Sequence, residues 1–214
     1  MFFCTSRLLI LCFATVTLTA STLLAQNAGT SSAPVILDAV TNSKPLPNGI
    51  EMQAGSITIR ITALQDDIIR VRIAPETLPE DASWAVVPEA RSKSATVKPI
   101  EEAGLVGFRT SALELRIEKN PARIVIRDAS GNVICADAIG RPTAFRLGGF
   151  SVYKQLIGGE HFFGLGDKTG AFDRGGQAYT LWNTDIAPQE SVDPLYKSIP
   201  FFLVVNGARW SCGT

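Results

Sequence analysis

The stretch Ser56–Ile73, SITIRITALQDDIIRVRI, decides the fold class. Ile57, Ile59 and Ile61 alternate with polar residues, and Ile69, Val71 and Ile73 alternate with Arg70 and Arg72. A period of two sends successive side chains to opposite faces of an extended chain, so both runs read as half-buried strands. Gln65-Asp66-Asp67 separates them and predicts a hairpin. Further along, Pro75, Pro79 and Pro88 mark a loop, because proline fixes φ and removes the donor that a central strand needs. Leu113, Leu115 and Ile117 again alternate with charged residues. Asn120-Pro121 turns the chain into Arg123–Arg127, and Ala129-Ser130-Gly131-Asn132 turns it into Val133–Cys135, which makes a three-strand meander. No window before Glu160 carries a helical period with cap signals. The expected class is therefore all-β. Two antiparallel sheets packed face to face cover the apolar faces of so many half-apolar strands, with a closed barrel as the alternative. No internal repeat of solenoid or propeller type is present.

Composition narrows the function. Lys+Arg and Asp+Glu both number 20, the formal net charge is zero, and no basic block stands out. A phosphate backbone would find no electrostatic footprint, so nucleic acid is excluded as an expected partner. At the amino end, Arg7, the apolar run Leu8–Ala14 and Leu23-Leu24-Ala25 read as an export signal over residues 1–25, with Gln26 as the mature start. A retained anchor is the alternative, since the run merges into Thr15–Leu24 and approaches the ~20 residues of a span. Lipid modification at Cys12 is disfavoured by the large residues Leu9-Ile10-Leu11 before it. The protein is thus expected to be secreted or periplasmic, touching a membrane only through its signal. Removing the signal leaves roughly 190 residues, of which 26–34 form a small polar linker and 35–214 one domain, enough for a substantial core.

Removing the signal leaves Cys135 and Cys212, which an oxidising compartment could join but which read as two isolated thiols. No metal cluster or cofactor is expected. His161, the single histidine, stands beside Phe162 and Phe163 and reads as a hydrogen-bonded structural group rather than a ligand or base.

The segment Glu160–Phe202 reads EHFFGLGDKTGAFDRGGQAYTLWNTDIAPQESVDPLYKSIPFF. Gly164–Thr169 has a superficial likeness to a phosphate loop, but Asp167 occupies the position that needs glycine, and a carboxylate there repels an anion. The same residues read as a glycine-permitted strand exit, with Asp167 and Lys168 at the mouth of a loop. Tyr179–Trp182 then reads as a short aromatic strand leading to Asn183, Thr184 and Asp185. Aromatic faces beside amide and carboxylate groups suit a sugar's C–H bonds and hydroxyls. The ordinary reading, which the residues alone favour, is a core Trp182 followed by an Asn-Thr-Asp turn.

This segment resembles the N-terminal β-sandwich of family 31 glycoside hydrolases, the α-glucosidase and α-xylosidase family. The resemblance is carried by Phe163–Gly170, the pair Asp173-Arg174, Leu181–Asp185 and Asp193–Phe202, and is dense over about forty residues. It implies a galactose-mutarotase-like sandwich ahead of a (β/α)8 barrel, acting on an α-linked oligosaccharide or glycoside. In such enzymes the barrel supplies both catalytic aspartates, which stand ~5–5.5 Å apart in retaining glycosidases. The sandwich lends a loop to the cleft. By position in the motif, Asp185 is carried over as a contact to a hydroxyl of the non-reducing sugar, and Trp182 and Asn183 as residues that shape and hold the loop. Asp167, Asp173 and Arg174 are carried as loop hydrogen-bonding groups, with the two acids paired to Lys168 or Arg174 in exposed ion pairs of small energetic weight.

The tail departs from the family pattern. Phe201–Val205 reads as a strand and Asn206-Gly207 as a hairpin turn, but the returning strand Ala208–Cys212 is cut short, so the last strands are expected to be incomplete. The expected object is a C-terminally truncated piece of an α-glycosidase, inactive alone because the catalytic aspartates lie in the absent barrel. A self-sufficient carbohydrate-binding module is the alternative. A mutarotase-like epimerase is weakened because proton relay at a sugar calls for placed His and acid groups and only His161 is available.

Overall fold

The computed structural model describes residues 33–82, 86–185, 193–194, 196–207 and 209–213. The signal and all but the last two linker residues expected at the amino end lie outside this set. β1 (Val35–Ile36) is followed by β2 (Asn42–Leu46), β3 (Gly49–Ala54), β4 (Ile57–Gln65) and β5 (Ile68–Pro75). The last four form one antiparallel sheet in chain order. The hairpin expected around Gln65-Asp66-Asp67 is the β4–β5 pair, with Ile59 opposite Ile73 and Ile61 opposite Val71.

A single helical turn, α1 (Pro88–Arg91), was not foreseen. Pro88 begins it with a preset φ and Glu89 lies in its first turn, but four residues are too few to display a helical period. Then come β6 (Lys98–Glu102), β7 (Leu105–Arg109), β8 (Leu113–Lys119), β9 (Ala122–Asp128) and β10 (Val133–Ala136), a five-stranded antiparallel meander. The expected turns at Asn120-Pro121 and at 129–132 join β8 to β9 and β9 to β10. β11 (Ala144–Arg146) and β12 (Gly149–Ser151) complete a small sheet with β1, and β13 (His161–Gly166), β14 (Ser198–Asn206) and β15 (Arg209–Gly213) form another.

The two larger sheets share one core. Ile50, Met52 and Ala54 of β3 and Ile57, Ile59, Ile61 and Ala63 of β4 are buried with Val106, Phe108, Leu115, Ile117, Ala122 and Ile124 of the meander. Every second residue of β4 points inward, so the alternation that makes it a strand also makes it half of an interface. The segment between β1 and β2 seals one edge of this sandwich. Leu37 is buried, and the main chain of 37–41 bonds in turn to Thr143, Lys119 and Gln53, with Ala122 donating back to Asp38.

Asp137 ties the sandwich to the chain that leads toward β13. It is buried, accepts the Ile124 N–H at 2.9 Å through Oδ2 and the Lys154 ammonium at 2.5 Å through Oδ1. A carboxylate so placed is stable only because a main-chain donor and a cation both answer it. Cys135 is a free, half-buried thiol, and burial pushes its pKa up; the Cys212 side chain lies outside the described residues. Replacing Phe108, which is fully buried, by alanine is expected to cost about 3–5 kcal/mol, read as a lowered midpoint in urea unfolding.

Candidate functional site

The site begins where β13 stops being a regular strand. Gly164, Leu165 and Gly166 have φ of 112°, 68° and 86°. Glycine is required at 166, where a Cβ would lie 2.3 Å from the Lys197 carbonyl. Leu165 adopts the left-handed region without glycine's freedom, a conformation that persists only where surroundings impose it. The kink shifts the register against β14 between Gly164 and Gly166 and lets the Asp167 N–H reach the Lys197 carbonyl at 2.8 Å.

Lys168 is thereby turned inward. Its side chain has no solvent exposure, and Nζ donates to the Thr180 carbonyl at 2.8 Å, Asp193 Oδ1 at 3.0 Å and Ser198 Oγ at 3.1 Å. The expected pairing of Lys168 with Asp167 or Asp173 is therefore corrected, its acid being Asp193. Asp167 is exposed. Thr180 returns its N–H to Asp193 Oδ2 at 2.5 Å, and this bond, followed by the lysine, holds the Asp193 carboxyl below the usual carboxylate range. Ser198 bonds the Trp182 carbonyl through its hydroxyl at 3.0 Å and Asn183 Oδ1 through its N–H at 2.7 Å.

The aromatic strand expected at Tyr179–Trp182 does not form. Its polar backbone groups are taken by side chains of Lys168, Asp193 and Ser198, and the sole ladder-like contact among the described residues here is the bridge between Thr184 and Tyr196. Trp182 is not a core residue; it is 68% exposed, and its carbonyl is what takes part in the network. Asn183 contributes its amide oxygen to the start of β14. Asp185 follows the Thr184 bridge and is exposed.

The other side of the loop is fastened by Asp173 and Arg174. Asp173 Oδ1 accepts the N–H groups of Phe162 at 2.9 Å and Gly175 at 3.0 Å, while Oδ2 lies 2.7 Å from His161 Nδ1. An ionised carboxylate has no proton to offer, so Nδ1 of His161 donates. His161 is thus a bonded structural group, and Asp173 pairs with it rather than with a lysine or arginine. Arg174 spends its guanidinium on the carbonyls of Lys168 (2.9 Å), Thr169 (3.0 Å) and Ala171 (2.7 Å), and lies over the Tyr179 ring at 5.6 Å. Lys168, Asp193 and Ser198 were not singled out as site residues from sequence. Lys168's partners lie 12 to 30 positions away, and Asp193 and Ser198 stand out in the sequence only as members of the Asp193–Phe202 stretch, not as partners of a lysine. Among the described residues no group of three or more His, Cys, Asp or Glu gathers as a metal site.

Residues 58–213, which span this loop and most of the sandwich, match the description glycosyl hydrolase 31 N-terminal galactose mutarotase-like domain. The chain belongs to that family. A curated relative of this family 31 domain is alpha-glucosidase 2 of Bacillus thermoamyloliquefaciens, 34% identical over 155 residues that cover 70% of this chain and 19% of the relative. Among solved structures, a family 31 dextranase of Flavobacterium johnsoniae complexed with isomaltotriose superposes with a TM-score of 0.72 at 28% identity, over 79% of this chain and 21% of that one. The family 31 α-xylosidase of Xanthomonas citri, at 16% identity, 75% and 18% coverage and TM-score 0.57, shows the shared fold alone. The chain spans about a fifth of the length of these relatives.

Asp173 makes the anchorage acid-sensitive. The Phe162 and Gly175 N–H groups, then His161, lower its pKa from 3.8 to about 2. A carboxyl depressed on folding contributes stability above its unfolded pKa and loses it as pH falls toward the folded value. Asp173→Asn is therefore expected to melt lower than the parent at pH 6, with the gap closing below about pH 4; paired thermal melts across that range check it.

Proposed function

We propose that this chain is the carbohydrate-contacting N-terminal domain of an exported, retaining α-glycosidase of family 31, with α-linked glucosides as its substrate class. The observation that carries the reading is the exposed Asp185 carboxylate just after a segment bound down by Lys168, Asp193 and Ser198, with the exposed Trp182 three residues before it. A carboxylate can accept two hydroxyls of one sugar, and an indole face suits its C–H bonds. Likeness to an α-glucosidase and to a dextranase complexed with isomaltotriose supports glucose as the sugar.

In this proposal the domain binds and orients, while cleavage is performed by a (β/α)8 barrel on its C-terminal side. That barrel supplies the nucleophilic aspartate and the acid that protonates the departing oxygen. Phe172, Leu181, Tyr196, Ile199 and Phe201 are exposed on β14 and the site loops and suit burial against such a partner. This chain alone is expected to leave a chromogenic α-glucoside uncleaved. Export follows from the signal reading of residues 1–25; amino-terminal sequencing of the mature protein is expected to begin at Gln26.

The sugar contact is tested by titrating the purified chain with isomaltotriose. Binding is expected in the millimolar range, and Asp185→Ala is expected to weaken it about tenfold or more, the effect of losing a charged hydrogen-bond acceptor. Equal affinity of parent and variant would remove Asp185 from the site.

A further inference from the structure

We infer that Lys168 is the positioning residue of the Trp182–Asp185 segment, fixing the direction in which Asp185 is presented without itself touching sugar. The inference rests on the reading of Asp185 as a sugar contact, but its structural half stands independently. An ammonium has three N–H donors and accepts nothing. Those of Lys168 are matched by three acceptors from three separate stretches: Thr180 just before Trp182, Asp193 further along the chain, and Ser198 at the first residue of β14. With no solvent exposure, this side chain cannot be a direct ligand of a substrate.

The hydroxyl of Ser198 carries the argument one step further. It lies between Lys168 Nζ and the Trp182 carbonyl, at 3.1 and 3.0 Å. Because the ammonium can only donate, Ser198 Oγ accepts from it and must direct its single proton to Trp182. The cation thus sets the polarity of the hydroxyl, and the hydroxyl fixes the main chain at Trp182. Ser198 N–H holds Asn183 from the same residue, and Thr184 follows in its bridge to Tyr196. Removing the ammonium frees the hydroxyl to rotate, leaves the Thr180 carbonyl short of a donor and strips Asp193 of its cation. All three changes converge on residues 180–185. The buried residues of β3, β4, β7 and β8 are not among these partners.

The test uses hydrogen exchange and isomaltotriose titration on the full chain, comparing the parent with Lys168→Met and with Lys168→Cys alkylated by bromoethylamine, which rebuilds an ammonium of nearly lysine length. The parent is alkylated in parallel as the control for its own cysteines. The Met variant is expected to exchange the amides of Thr180, Thr184 and Ser198 about tenfold faster, with β4 and β8 unchanged, and to bind isomaltotriose about tenfold more weakly. Alkylation of the Cys variant is expected to restore both. Should the Met variant not fold, Ser198→Ala, which keeps the ammonium, is expected to speed exchange at Thr184. Unchanged exchange in these variants, a rise shared equally by β4 and β8, or failure of alkylation to restore protection would overturn the inference. Absence of isomaltotriose binding by the parent would overturn the sugar-contact reading alone, and exchange would still decide whether Lys168 holds the 180–185 segment.

Discussion

The interaction on which the site depends is the buried Lys168 ammonium with its three acceptors. Residues 179–183 make no regular ladder, yet their backbone groups cannot be left unanswered. Lys168 and Asp193 satisfy the carbonyl and N–H of Thr180, and Ser198 donates its hydroxyl to the Trp182 carbonyl and its N–H to Asn183 Oδ1. A set of side chains thus stands in for a neighbouring strand, which is how an irregular loop acquires a defined shape. The arrangement in turn needs the kink at Gly164–Gly166, because a regular continuation of β13 would not point residue 168 beneath the loop.

The sandwich has its own core, built from period-two burial in β3, β4 and the meander. The C-terminal sheet is a separate one, held together by main-chain pairing of β14 with β13 and β15. Asp173 and Arg174 close the remaining side by gathering N–H groups and carbonyls of 162–175. Lys168 therefore gathers Thr180, Asp193 and Ser198, while Arg174 gathers the carbonyls of 168, 169 and 171 and lies over Tyr179. Leu181, Trp182, Asp185 and Tyr196 stay exposed.

Much of this was legible in the sequence where periodicity or a dense motif spoke. The Ile57–Ile61 and Ile69–Ile73 alternation became β4 and β5, and the runs around Leu115 and Ile124 became the meander. β6, with four of five residues exposed at a sheet edge, carried no such pattern, and β1, β11 and β12 are too short to display one. The final hairpin was read at Asn206-Gly207, but Asn206 pairs with Arg209, so the two connecting residues are 207 and 208. The site was legible as a segment and not as a network. Trp182 and Tyr179 looked like strand residues because aromatic content says nothing about whether a partner strand exists. Lys168 looked like a surface charge because its acceptors lie on distant parts of the chain.

The central claim is that a sandwich-borne loop, locked from beneath, presents Asp185 and the Trp182 ring to a glucoside. Chemical-shift mapping of the isotopically labelled chain during isomaltotriose titration tests it most directly. The account predicts perturbations confined to the Trp182 indole and the amides of 182–185 and their neighbours across the Tyr196 bridge. Perturbations clustered on the outer face of β4 and β5, or none at any sugar concentration, would contradict it.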